Sequence, residues 1–115
     1  MTYRAARLAE TIKEVVADIL QNELKDPRLG FATVTRVEVS PDLRYAKIFV
    51  SVYGSSEDEA ATLAVLERAQ GFIRSTLGRR LRLRYVPEIS FKSDLSIGYG
   101  VKVAEILREL KKEEG

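Results

Sequence analysis

An apolar stripe through Leu63, Leu66, Ala69, Ile73 and Leu77 keeps helical spacing straight across Gly71. Glycine inside a helix costs about 1 kcal/mol relative to alanine. Read as one helix from Glu57 to about Leu81, the segment would be about 37 Å long at roughly 1.5 Å per residue. That is too long for a compact domain built from 115 residues. The spacing therefore predicts two consecutive helices with a bend at Ala69-Gln70-Gly71. A chain of this length forms one domain, residues 1–115, large enough to bury a single core.

Upstream, Leu8, Ile12, Val15, Val16, Ile19 and Leu20 mark one face of a helix over residues 3–24, with Thr2 as N-cap. Its polar face begins with Arg4 and Arg7, and no acid follows until Glu10. Lys25-Asp26-Pro27-Arg28-Leu29-Gly30 ends it, because proline lacks the amide donor and biases its predecessor out of helix. The pattern then turns to strand. Thr33, Val34, Thr35, Val37 and Val39 are β-branched, and Ser40-Pro41-Asp42-Leu43 is turn chemistry. In the next strand Ala46, Ile48, Val50 and Val52 share one face, while Tyr45, Lys47, Phe49, Ser51 and Tyr53 share the other. That second face is similar to RNA-stacking sheets, but aromatics are common in strands for packing alone, and packing is the preferred reading. Ser56 with Glu59 fits a capping box. Val86 to Lys92 reads as a short strand carrying Ile89 and Phe91 on one face, with Pro87 confined to its start. Asp94 to Gly100 reads as a hinge, and Val101, Ala104, Leu107 and Leu110 predict a C-terminal helix over 95–113 with a frayed end.

Several chemistries are excluded or disfavoured. With no cysteine there is no disulfide, thiolate metal site or thiol nucleophile, and with no histidine the commonest general base and metal ligand are missing. No phosphate-binding, nucleophile-elbow or dinucleotide motif occurs. The chain is expected to have no catalytic residues, no metal, no cofactor and no small-molecule substrate. No apolar run approaches the roughly 20 residues that span a bilayer, so a cytoplasmic protein without membrane contact is expected.

Positive charge is segregated. Between Arg68 and Lys92 stand seven basic side chains against one acid, Glu88, while the rest of the chain sums to minus four within an overall charge of +2. Clustered Lys and Arg are the footprint of phosphate binding, and arginine suits bidentate phosphate contacts best. No interleaved acids mark i,i+4 salt bridges across this zone. Arg74, Arg79, Arg80, Arg82 and Arg84 are the main candidates for RNA contact, with Lys92, Arg4 and Arg7 secondary and Arg28, Arg36 and Lys47 more distant. The alternative is a protein-interaction module whose basic surface meets an acidic partner.

The element order α-β-β-α-α-β is that of a type II KH domain: an α+β fold with a three-stranded sheet covered by helices on one face. KH modules clamp four nucleotides with a G-x-x-G loop between the consecutive helices. No two glycines here stand three apart; Ala69-Gln70-Gly71 occupies that place. Together with Lys25-Asp-Pro-Arg-Leu-Gly30, Ser40-x-Asp42-Leu43-x-Tyr45-Ala46-Lys47, Gly71-Phe-Ile-Arg74, Leu77-Gly78, Leu81-Arg-Leu-Arg84-x-Val86-Pro87-Glu88-Ile89-x-Phe91 and Asp94-x-Ser96-Ile97, the chain resembles the ribosome-binding factor A family over nearly its whole length. That family's hallmark is an Ala-x-Gly kink in place of the KH loop, which Ala69 and Gly71 match. The resemblance implies a non-catalytic factor that binds the immature small ribosomal subunit and assists rRNA maturation, including 5′-end processing. It further implies a link to growth in the cold. A monomer docking on folded rRNA, with Ala69 and Gly71 setting the helix angle, is the resulting expectation.

Overall fold

A computed structural model describes residues 2–24, 29 and 31–94, with only the backbone of Phe31. Its elements run α1 (Tyr3–Asp18), β1 (Phe31–Val39), β2 (Tyr45–Tyr53), α2 (Ser56–Arg68), α3 (Gln70–Leu81) and β3 (Glu88–Ser93). This is the expected α-β-β-α-α-β order. Arg28 and the helix expected over 95–113 lie outside the described residues.

Thr2 caps α1 by accepting from the Ala5 amide at 3.2 Å. The buried side of α1 is Ala5, Ala9, Ile12 and Val16, with Leu8 and Val15 only half-buried. The contact face is therefore rotated toward the two alanines, whose short side chains let the helix lie close on the core. The last turn, Ile19–Glu23, widens to π geometry, and Leu24 N–H closes it on the Ile19 carbonyl at 2.9 Å.

The sheet order is β1-β2-β3, antiparallel between the first pair and parallel between the second. A bulge at Thr35 sets the alternation of β1. Val34 pairs with Val50, but the next partners are Arg36 with Phe49 and Val37 with Ile48. The extra residue brings Val34, Val37 and Val39 to the same buried face although strict period-2 spacing would separate them. The Thr35 hydroxyl donates its one proton to Asp94 Oδ2 at 2.5 Å and lies 3.2 Å from the Phe49 carbonyl, so it links β1 across β2 to the end of β3.

Between the sheet and the helices lie Ile12, Val16, Ile48, Val50, Leu66, Ile73, Leu77 and Ile89, all essentially inaccessible. Each such burial stabilises by about 1.5–3 kcal/mol relative to exposure. On the opposite face the described side chains of Arg36, Tyr45, Lys47, Glu88 and Lys92 are exposed.

The capping box that opens α2 sits one residue before the expected one. Ser55 Oγ accepts from the Asp58 amide, and Asp58 accepts from the Ser55 amide. The run Ser55-Ser56-Glu57-Asp58-Glu59 offers both registers, and the earlier one forms, directly after Gly54 at φ +138. A side chain on Gly54 would meet the Asp58 carboxylate at 2.6 Å.

Candidate nucleic-acid interface

The predicted bend falls at Ala69, whose φ of −85 and ψ of 0 interrupt the helix for one residue. Both ladders still close there: Ala69 N–H donates to the Val65 carbonyl at 3.0 Å, and its own carbonyl accepts from Ile73 N–H at 2.9 Å. Ala69 thus bends the pair while both of its own backbone groups stay bonded. Gly71 lies one residue inside α3, its φ is not positive, and a Cβ built there would meet nothing within 4 Å. The angle between the helices is therefore set at Ala69, and Gly71 leaves open surface beside it.

The arginines that follow do not share one face. Arg74 and Arg79 are five residues apart and so diverge by about 140° around the helix. Arg74 donates from Nε to the Pro87 carbonyl (3.1 Å) and from Nη2 to the Val86 carbonyl (2.9 Å). Gln70, one turn earlier, donates to the Ile89 carbonyl. This i,i+4 pair ties α3 to strand β3 and its lead-in through three backbone carbonyls. Arg79 lies on the other flank, 3.3 Å from Thr76 Oγ1.

Arg80 turns inward to α1. Its Nη1 lies 2.5 Å from Asp18 Oδ2, and its Nη2 pairs with the Glu23 carboxylate. Its hydrogen bond holds the Asp18 carboxyl below the usual aspartate range, with the Asn22 amide contributing less, and Asp18 in turn raises the Arg80 guanidinium. The expectation of Arg80 as a principal RNA contact meets a different arrangement here. The acids that pair with it lie 62 and 57 residues away in the chain, so a search for acids nearby in sequence does not find them.

Arg82 ends α3 in the left-handed conformation, φ 51 and ψ 41, where helices usually place glycine. Arg84 stands 5.7 Å from the Tyr85 ring centre. Arg4 and Arg7 are exposed on the first turns of α1, Arg7 within 3.4 Å of the Tyr3 hydroxyl. Lys92 is on the open sheet face, paired in register with Phe49, whose ring carries the Arg36 guanidinium at 4.0 Å on the β1 side.

Of the eight candidates, Arg74 and Arg84 line one cleft, and Arg82 immediately precedes its wall. This cleft, about 590 Å³, separates the β1–β2 turn from the α3–β3 connection and is lined by Arg44, Tyr45, Tyr85 and Glu88 among others. A second groove of about 570 Å³ continues from it past Tyr45 and Arg74 to Lys47, Gly71 and Ser90. Of the two non-glycine residues with positive φ among the described residues, Leu43 (φ 63) lines the first cleft and Arg82 directly precedes its wall. Such backbone strain clusters at functional surfaces. The turn is held by Asp42, which accepts from Ser40 Oγ at 2.6 Å and from the Arg44 amide at 3.1 Å. Those bonds, the Ser40 hydroxyl first, keep the Asp42 carboxyl below its ordinary range. Arg44 Nε lies 3.9 Å from the same carboxylate.

Arg44 and Tyr85 are absent from the sequence-based candidates, and Tyr45 enters there on a strand face for which packing is preferred over RNA stacking. Their signal is tertiary: a hairpin turn and a helix–strand connection far apart in the chain form opposite banks. Among the described residues no group of three or more acidic, histidine or cysteine side chains is placed to hold a metal, and no helix is long and apolar enough to cross a membrane.

Residues 4–107 match the family model described as Ribosome-binding factor A. A protein of that name from Desulforamulus reducens is 49% identical over 114 residues, covering 99% of this chain and 95% of the relative. The crystal structure of ribosome-binding factor A from Thermus thermophilus superposes with a TM-score of 0.69 at 33% identity, over 79% of this chain and 97% of that one. A homology model of the T. thermophilus factor, as fitted into a cryo-EM map of a 30S–RbfA complex, gives a TM-score of 0.67 at 31% identity, over 79% and 96% of the two chains.

Proposed function

The chain belongs to the ribosome-binding factor A family, and from that membership we propose that it binds the immature small ribosomal subunit in the cytoplasm. There it assists late assembly and small-subunit rRNA maturation, including that of the 5′ end. It does so without catalysis, by attaching to rRNA through the cleft side of α3. The observation that carries this reading is the fitted 30S complex of a relative with the same fold. What supports the choice of surface is the grouping of Arg44, Arg74 and Arg84 along one cleft, with Arg82 beside it in a strained conformation.

Arg82 and Arg84 supply the phosphate contacts, with Arg44 on the far bank. Arg74 adds its charge to the cleft while its Nε and Nη2 donors hold the edge of β3. Arg80 holds α1 to α3 and makes no phosphate contact. The test is the salt dependence of binding to purified immature small subunits. Arg82→Gln with Arg84→Gln lowers affinity and flattens the log–log salt slope by roughly one unit for each phosphate no longer neutralised. Arg80→Gln leaves the slope as in the wild type. A double variant with an unchanged slope contradicts the assignment.

A further inference from the structure

Charge alone does not account for the cleft. Three cations line it, Arg44, Arg74 and Arg84, but so do two acids, Asp42 and Glu88. Arg44 is shared with Asp42 at 3.9 Å, and two donors of Arg74 are taken by backbone carbonyls. The net attraction for a phosphate chain is therefore modest. What the cleft holds beyond charge is aromatic surface. Tyr45 and Tyr85 both line it and remain 56% and 80% exposed. Tyr45 also lines the adjoining groove toward Gly71 and a third depression beside Ser40, so three concave surfaces meet at one residue.

Three other rings have local partners, among them Tyr85, whose ring centre lies 5.7 Å from the Arg84 guanidinium, a contact that places this cation beside any base stacked there. Phe49 lies under the Arg36 guanidinium, and the Tyr3 hydroxyl meets Arg7. Tyr45 projects from the central strand, where its backbone is fixed by pairing with Glu88 on one side and by the hydrogen bond its N–H donates to Ser40 Oγ on the other. A ring on so rigid a base loses little freedom when a flat partner settles on it. Double-stranded RNA keeps its base faces stacked on one another and gives a tyrosine no ring to settle against. Unpaired bases do, at about 1–3 kcal/mol per base, whatever the sequence.

We propose that this cleft holds an unpaired stretch of RNA, with one base stacked on Tyr45, a neighbouring base on Tyr85, and Arg84 and Arg44 on the flanking phosphates. The inference rests on the RNA-binding reading above and adds to it the strandedness of the RNA and the two residues that sense it.

The test measures binding of the full chain to an unstructured RNA of about a dozen nucleotides and to the same strand annealed to its complement. In parallel, binding to purified immature small subunits is measured. Wild type prefers the unpaired strand. Tyr45→Leu and Tyr85→Leu each weaken that binding by about ten-fold, the effect of losing one stacked base, and leave duplex binding unchanged. Tyr45→Phe, which keeps the ring, restores the preference. Circular dichroism confirms that each variant is folded, and because both tyrosines are exposed, either one alone suffices. Subunit binding without preference for the unpaired strand, or leucine variants that bind like wild type, overturns the stacking site and leaves the ribosomal reading standing. Failure to bind any RNA or the subunit overturns both.

Discussion

Two glycines seven residues apart on α3 do opposite things. At Gly78 a Cβ would lie 2.6 Å from Val86 Cγ2. Valine is stiff at χ1, so it cannot step aside freely. The close approach of α3 to the lead-in of β3 needs the missing side chain. At Gly71 a Cβ meets nothing, and the backbone is not in the left-handed region. Gly78→Ala should therefore destabilise by roughly 1–3 kcal/mol, whereas Gly71→Ala should stabilise by up to about 1 kcal/mol through helix propensity. Urea unfolding of both variants checks the pair, and a Gly71→Ala protein less stable than wild type contradicts it. The sequence reading singles out Gly71 at the bend and gives Gly78 no such role. Only the position of Val86 separates a glycine that the fold requires from one that it does not.

Among the elements, the connection between α1 and α3 carries most of what a sequence reading leaves out. The π turn Ile19–Glu23 places Glu23 and Asp18 on either side of Arg80. Helical periodicity predicts α1 correctly to Asp18 but has no means of signalling a wider turn or a partner some sixty residues on. The bulge in β1 is a second case. In the sequence Thr33, Thr35, Val37 and Val39 keep an unbroken period of two, and only the strand pairing shows the extra residue that turns Val34 to the core with Val37 and Val39. Hairpin, bend and strand β3 were legible because each rests on local chemistry. The Arg80 contact was not, because it rests on where two helices end.

That contact has a pH signature. Asp18 has a lowered folded-state pKa, principally through its bond from Arg80. Its contribution to stability is therefore fully present above the ordinary aspartate range and is lost as pH falls through the depressed folded value. Asp18→Asn should melt earlier than wild type at neutral pH, and the two melting temperatures should converge in strong acid. A gap that persists undiminished in acid means that Asp18 acts through packing and not through its charge.

On the scale of the whole molecule, the local surplus of positive charge was visible in the sequence, but its distribution was not. Helical geometry sends Arg79 to one flank of α3, Arg80 under it toward α1, and Arg74 to the side of β3. The surface that remains is narrower than the run of arginines suggests, and it gains Arg44, Tyr45 and Tyr85 from other parts of the chain. If this cleft side meets the ribosome, and the polar face of α1 with Arg4 and Arg7 does not, the two surfaces must respond differently to binding. Hydrogen–deuterium exchange of the full chain, free and bound to purified immature small subunits, compares them in one experiment. New protection is expected at the 41–44 turn, at the start of α3 and across the 82–87 connection, with the first turns of α1 unchanged. Protection centred on the N-terminal turns of α1, with the two cleft loops exchanging as in the free protein, would contradict it.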